Sequence, residues 1–435
     1  MKGTFRSLKS YNYRVWAGGA LVSNVGTWMQ RIGQDWLVLT QLTHHNATAV
    51  GTVMALQFGP QLLMLPWTGF AADHFDRRKL LIATQAAMGA LALVLGILTI
   101  AGLVQLWHVY AFAFLLGCVS AFDAPARQTF VSELVGEADL SNAVALNSTS
   151  FNAARMIGPA VAGVLIAAVG EGWLFVVNAV SFAAVLGSLR LLRVADLHRE
   201  ERAARTPGSF AEGFRYVWRR PDLKVVLLML FLIGTFGLNF PIFISTMSVT
   251  VFHGDASQYG LLTSIMAIGT VSGALLATRR ERPGVLLLLI AAGLFGLGLA
   301  LAAMMPNYWL FGLCLLLIGM SALTFVNATN SMVQLSTDRA MRGRVMAIRL
   351  AVALGGTPIG APIVGWVVDH YGARWALCVG AAAGIAAAIA GICYLARYRH
   401  LRLHVGSGRM RFSIDGDNVA PVQQDRPAAC SSVQD

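Results

Sequence analysis

Stretches of about twenty apolar residues recur along almost the whole chain, and no other feature limits its folding so sharply. Each is long enough to cross a hydrocarbon core about 30 Å thick as a helix. In that medium a helix satisfies its own backbone polar groups, whereas an open strand cannot. Reading apolar windows against polar breaks gives twelve spans: roughly 15–42, 47–71, 80–104, 107–127, 142–169 and 172–194, then 223–252, 257–278, 284–305, 308–330, 342–368 and 373–397. Of the 435 residues, 56% are hydrophobic and only 12% charged, and the mean hydropathy is +0.63. A soluble protein carries about a quarter charged residues. The expected class is therefore an all-α polytopic membrane protein of twelve transmembrane helices. Its start, "MKGTFRSLKSYNYR", is polar and basic, without the short apolar core and small-residue site of a cleavable signal.

The spans divide six and six about a charged segment, "ADLHREERAARTPGSFAEGFRYVWRRPD", which is too polar to cross lipid. The expected organisation is a six-helix half over 1–194, a central loop over 195–222, a second half over 223–397 and a polar tail over 398–435. The composition of the tail's end, "DRPAACSSVQD", is that of a disordered segment. Of the 33 Lys and Arg, three lie deep within spans (Arg31, Arg155 and Arg349) and Arg374 falls at a span end on the far side. The other 29 share one side: chiefly the N-terminus, 77–79, the central loop, 279–282 and the tail, with the rest at span ends on that side and at Arg339. Basic residues are retained on the cytoplasmic side, so both termini and the central loop are expected there. Topology thus accounts for the net charge of +12, and no nucleic-acid partner is expected.

Cys118, Cys314, Cys378 and Cys393 lie in apolar spans and Cys430 in the tail, with no CxxC pair, so neither disulfide nor metal site is indicated. The chain also lacks a GxxxxGK[ST] phosphate loop and an HExxH zinc pair. Neither an enzyme, a cofactor nor direct ATP coupling is expected.

The fifth and eleventh spans repeat each other at an offset of 202 residues, from Ile157 to Ile359. Matches fall at Gly158/Gly360, Gly163/Gly365, Gly170/Gly372, Trp173/Trp375, Val177/Val379 and Ala179/Ala381. Parallel repeats of this kind in secondary transporters place the substrate site between the halves, near the bilayer midplane.

Within the first span, "WMQRIGQDW" carries Gln30, Arg31, Gln34 and Asp35. A charge at mid-bilayer costs about 2.5–3.5 kcal/mol, so this face is expected to line a watered cavity. Arg31 and Asp35, four apart, can pair as a fixed structural bridge. Alternatively Asp35 changes protonation during transport, with Arg31 beside it and the glutamines offering hydrogen bonds to substrate. Asp35 is the only acid deep in a span. Asp123 lies near a cytoplasmic end, and Glu171, Asp255 and Asp369 at outer boundaries. The candidates for proton coupling are therefore Asp35, Arg31 and Asp123. Those for the substrate cavity are Asn24, Gln30, Gln34, Arg155 and Asn239, the asparagines being equally suited to bonding helices together. Trp28, Phe236, Phe240 and Met266 suit an adaptable apolar wall.

After the second span comes "GFAADHFDRRK". It resembles the signature loop of the major facilitator superfamily, approximately G-x-x-x-D-R-x-G-R-R-K. Gly69, Asp73, Arg77, Arg78 and Lys79 match, while His74 stands for the usual Arg and Asp76 for the usual Gly. With "GTWMQRIGQDWLVL", "FDAPARQTFVSELV", "NAVALNSTSFNAARMIGPAVAG" and "RGRVMAIRL", the chain is similar over about residues 5–400 to the bacterial group containing macrolide efflux pumps and siderophore exporters. The resemblance implies a two-half fold in the bacterial inner membrane, functional as a monomer. It also implies a latch in which Asp73 caps the eleventh helix and engages a fourth-helix arginine, here Arg127. An i,i+4 pair of Arg127 with Asp123 competes with that contact. Exporters of the superfamily carry a glycine-rich fifth-helix pattern; Gly158, Pro159 and Gly163 match it, and Ala145, Ala154 and Ala162 depart from it. The implied function is proton-coupled efflux of a small amphipathic compound by alternating access, the alternative being an importer on the same scaffold.

Overall fold

The structure is a computed structural model, and it describes residues 5–65, 67–68, 75–198, 210–278, 284–338, 341–398, 401–406 and 409–414. The first half begins with α1 (Tyr11–Trp36), which opens on the Ser10 hydroxyl and runs on into a π-helical turn, Leu37–Leu42. There follow α2 (Ala47–Leu63), α3 (Arg77–Ile100), α4 (Leu106–Leu134), α5 (Glu137–Val169) and α6 (Glu171–Leu191). Asn46 caps α2 by accepting from the Ala49 N–H at 2.9 Å, and Asp76 caps α3 through the Lys79 N–H at 3.0 Å. The second cap gives the departure at residue 76 a role: the aspartate side chain accepts from a helix-start N–H, a bond that a glycine has no side chain to make.

The second half begins with a short helix, α7 (Phe210–Arg219), inside the expected central loop. Next come α8 (Pro221–Leu232) and α9 (Phe240–Thr246), which are one apolar stretch broken between them. The break follows a π-helical turn over Ile233–Gly237, and a second such turn, Met247–Val251, ends the stretch. Then follow α10 (Ala256–Thr278), α11 (Val285–Met304), α12 (Tyr308–Ser336), α13 (Arg342–Tyr371) and α14 (Ala373–Tyr398). Among the described residues, ten helical segments are long and apolar enough to cross a membrane. Those ten do not include α1, with its glutamines, Arg31 and Asp35, or α2, which has 17 residues. The tail corrects the all-α expectation. Leu401–Gly406 and Arg409–Ile414 pair as antiparallel strands, β1 and β2, with Leu401 opposite Ile414. The alternation in "LRLHV" and "MRFSI" has the strand period.

Two crossings join the halves, α2 on α13 and α5 on α10, and small residues set their closeness. A Cβ on Gly51 would lie 2.3 Å from the Ala361 carbonyl oxygen, and one on Gly260 would lie 2.3 Å from that of Pro159. The sequence repeat appears here in three dimensions. Gly163 abuts α10 at Ala256 and Ser257, and Gly365 abuts α2 at Ala47 and Thr48. Gly170 and Gly372 end their helices at φ of +85° and +94°, a conformation that glycine adopts freely. Both crossings lie at the end of the bundle opposite the basic residues of α3 and α7.

At that end Asp369, near the close of α13, clasps the start of α2. Its carboxylate accepts from the Ala47 N–H at 2.7 Å, the Thr48 N–H at 2.9 Å and the Thr48 hydroxyl at 2.5 Å. Ser257 donates to the Gly163 carbonyl at 3.3 Å across the other crossing. Helix starts favour acidic partners and lose about 0.5–2 kcal/mol when a cap is removed. Asp369→Ala should therefore speed amide hydrogen exchange over the first turn of α2 about fivefold. Unchanged exchange there would mean that glycine packing alone holds the crossing.

Candidate functional site

Beside these crossings lies a cavity of about 220 Å³ that both halves line. From α1 come Trp28, Arg31, Ile32 and Asp35, whose spacing of three, four and seven places them on one helical face. Met54, Gln57 and Phe58 of α2 and Arg155 of α5 complete the first half's wall. The other half supplies Leu238, Phe240, Pro241 and Ile244 beside the helix break, Tyr259, Thr263, Met266 and Ala267 of α10, and Thr357 of α13.

The carboxylate of Asp35 is met across the interface: the Tyr259 hydroxyl donates to its Oδ2 at 3.3 Å. Asp35 and Tyr259 are 7% and 1% exposed. The Trp36 ring stacks on the Tyr259 ring, centroids 6.2 Å apart, which fixes the direction of the hydroxyl. Of the two readings open for Arg31 and Asp35, the fixed bridge does not form: the two are in no ion pair with each other. The Arg31 guanidinium lies over the Trp28 ring at 4.8 Å and the Phe58 ring at 5.6 Å, leaving Nε without a hydrogen-bond partner. Aromatic faces attract a desolvated guanidinium by about 2 kcal/mol, which competes with an i,i+4 contact. Arg155 lies 5.9 Å from the same Trp28 ring. Among the described residues, neither Arg31 nor Arg155 is in an ion pair. The site therefore offers a titratable acid shared between the halves, two guanidiniums with free donors and a wall of rings and methionines.

Four of the sequence candidates for this cavity lie elsewhere. Gln30 accepts from the Asn178 amide of α6, which also bonds Ser181, and so joins α1 to α6. Gln34 is 3% exposed, and its Nε2 has no partner. Asn24 accepts from Arg127 at 2.8 Å. Asn239 is fully buried and donates to the Thr235 carbonyl at 2.7 Å, a group freed by the helix break. One residue is about 100° of rotation on a helix, enough to carry Gln30 and Gln34 away from the face of Arg31 and Asp35. Phe236 also lies outside the lining, whereas Trp28, Phe240 and Met266 are in it.

Asp123 sits at the basic end in a separate polar network. It accepts from Thr84 at 2.8 Å, Gln85 at 2.7 Å and Arg127 at 3.1 Å, knitting α3 and α4 to Asn24 of α1. The competing i,i+4 pair is thus formed, and Gly69 and Asp73 of the expected latch lie outside the described residues. Arg77 pairs with Glu133 at 3.0 Å, and Arg78 donates to the Leu189 carbonyl at 2.8 Å. Of the fifth-helix motif, Gly158 admits α1, where a Cβ would lie 2.7 Å from that of Trp28, while Pro159 and Gly163 face α10. Sequence reasoning did not single out Tyr259 or Phe58, and it left Asp369 a boundary residue. The available signal for Tyr259 was a tyrosine inside an apolar span, whose hydroxyl needs a partner when buried.

A family model described as a transmembrane secretion effector matches residues 2–405. The staphyloferrin A transporter of Staphylococcus aureus (strain NCTC 8325 / PS 47) is 27% identical over 353 residues, covering 80% of this chain and 87% of its own. The enterobactin exporter EntS of Shigella flexneri is 26% identical over 332 residues, 75% of this chain and 78% of its own. The multidrug efflux pump Tap of Mycolicibacterium fortuitum is 25% identical over 374 residues, 81% and 88% of the two chains. Among solved structures, the nucleoside transporter NupG superposes with a TM-score of 0.69 at 16% identity, covering 89% of this chain and all of that one (100%). That likeness concerns the fold.

Proposed function

The chain belongs to the transmembrane secretion effector family, and from that premise we propose that it is a proton-coupled exporter of a small amphipathic compound. The observation that carries this reading is Asp35: an acid in a cavity lined by both the first and the second half of the chain and bonded across to Tyr259. In this reading twelve helices span the inner membrane, α1 and α2 among them, with the basic end in the cytoplasm. Their polar face is tolerable because it turns on the cavity rather than on lipid. The crossings at Gly51 and Gly260 then close the outer side, and substrate reaches the cavity from the cytoplasm. Proton uptake by Asp35 removes the charge that holds the Tyr259 hydroxyl and so loosens one contact between the halves. Asp35 and Arg31 act at the cavity, and Asp123 serves its own network. Arg155 supplies donors for an acidic or carbonyl group, while Trp28, Phe240 and Met266 pack an apolar body. That relatives include an enterobactin exporter and a multidrug efflux pump supports the outward direction.

The test is accumulation of fluorescent amphipathic compounds by inverted membrane vesicles under an imposed pH gradient. Uptake should follow an acid interior and stop when nigericin collapses the gradient. Uptake indifferent to nigericin would refute proton coupling, and accumulation by intact cells but not by inverted vesicles would refute export.

A further inference from the structure

The short helix α7 has a face that nothing in the described protein covers. Phe214 and Trp218, one turn apart, are 53% and 65% exposed, and their rings stack with centroids 5.7 Å apart. Lys224 at the start of α8 brings its Nζ to 5.7 Å from the Trp218 ring. Lys224, Leu228 and Phe231 are the exposed stripe of α8, spaced at four and seven along a membrane-spanning segment, so this stripe faces lipid. The aromatic pair therefore lies on the lipid side of α8, just beyond the end of its apolar stretch, at the depth where tryptophan meets headgroups. Arg215 and Arg219, also exposed, alternate with the two rings. The nearby acids are already engaged: Glu212 with Arg344 at 2.6 Å and Asp222 with Arg220 at 2.7 Å.

We propose that α7 is an interfacial anchor for anionic phospholipid, its aromatic pair entering the headgroup region and Arg215, Arg219 and Lys224 receiving the phosphates. A cationic cluster over lipid-level rings complements an anionic leaflet and gains little from a zwitterionic one. The inner face of α7 makes the anchor a lever. Besides the Glu212–Arg344 pair, the Tyr216 hydroxyl donates to Asp338 at 3.0 Å, and Gly213 lies against the Arg344 side chain. Lipid held on one face of α7 thus steadies the start of α13, the helix whose far end forms the Asp369 clasp. The anchor needs only a bilayer, so it stands or falls apart from the export reading.

The test titrates full-length protein in a neutral detergent with dioleoylphosphatidylglycerol or dioleoylphosphatidylcholine and follows the thermal midpoint. The glycerol lipid should stabilise at lower concentration than the choline lipid. Each basic residue is worth about fivefold near an anionic surface. Arg215→Gln with Arg219→Gln should therefore raise the half-saturating phosphatidylglycerol concentration about twenty-five-fold, while Arg215→Lys with Arg219→Lys keeps the preference and reports on folding. Equal response to the two lipids, or an unchanged titration in the glutamine variant, would overturn the proposal. So would equal stabilisation by glycerol 3-phosphate, which would indicate a site for free anions. Phosphatidylglycerol should also slow amide exchange over the first turn of α13, and exchange unchanged there would overturn the lever.

Discussion

Asp35→Asn should abolish gradient-driven transport and leave exchange of substrate across the membrane intact. Asparagine has nearly the shape of aspartic acid and can still accept from the Tyr259 hydroxyl, so the cavity wall is kept. What it cannot do is take up and release a proton. Net transport against a gradient should fall about a hundredfold, the lower end of what a positioned proton-transfer group contributes. Counterflow, in which labelled substrate exchanges for unlabelled with no net proton movement, should stay within about threefold, a change of less than 1 kcal/mol in barrier. The pair of measurements separates coupling from folding, because a misfolded variant loses both. Tyr259→Phe removes the partner and leaves the acid. It should therefore preserve the gradient-driven transport that Asp35→Asn abolishes, while removing one contact between the halves. Full gradient-driven transport by Asp35→Asn would make Asp35 a structural acid and send the search for a coupling group to Asp123.

Both sites show what the sequence made legible. The helical stretches follow from apolar length alone, because a backbone in hydrocarbon has few alternatives. The repeat between Ile157 and Ile359 led to a two-half arrangement, and its glycines reappear as matched crossings and matched helix ends. Arg31 and Asp35 stood out by the cost of their placement, and the cavity contains both. The contact between them that spacing allowed did not form: Trp28 on the same face and Phe58 from the next helix take the guanidinium, and Tyr259 from the other half meets the acid. Gln30 and Gln34 shared a stretch with the cavity residues but not a face, and which face turns inward depends on packing against Leu174 and Asn178 of α6. Asp369 was readable only as a boundary acid, because its partners are backbone N–H groups 321 and 322 positions away. The short helix α7 was hidden in a charged loop, where stretch-length reasoning has nothing to register.

The matched crossings lead to the second large effect. Gly51→Val should stop transport while leaving a folded protein, and Gly260→Val should do the same. At Gly51 a Cβ would lie 2.3 Å from the Ala361 oxygen, 2.7 Å from its carbonyl carbon and 3.0 Å from the Pro362 Cα. All three are backbone atoms of a helix, so relief requires α2 and α13 to move apart rather than one side chain to turn. Forcing bulk into a closed contact costs about 1–3 kcal/mol, applied only to the state in which the contact is made. A transporter whose outer side cannot close is held in its other state. Turnover should fall about tenfold or more at 1.4 kcal/mol and beyond, and a maleimide applied from outside should reach a cysteine at Thr357 in the cavity. Gly59→Val is the control, on the same helix but with no atom within 4 Å of the added carbon, and it should change turnover by less than about twofold. The two crossings are related by the repeat, as Pro159 and Ala361 are, so their variants should resemble each other. Normal turnover in Gly51→Val would show that this crossing is not remade in each cycle. A defect confined to one of the two glycines would show that the crossings move independently, each half following its own contact.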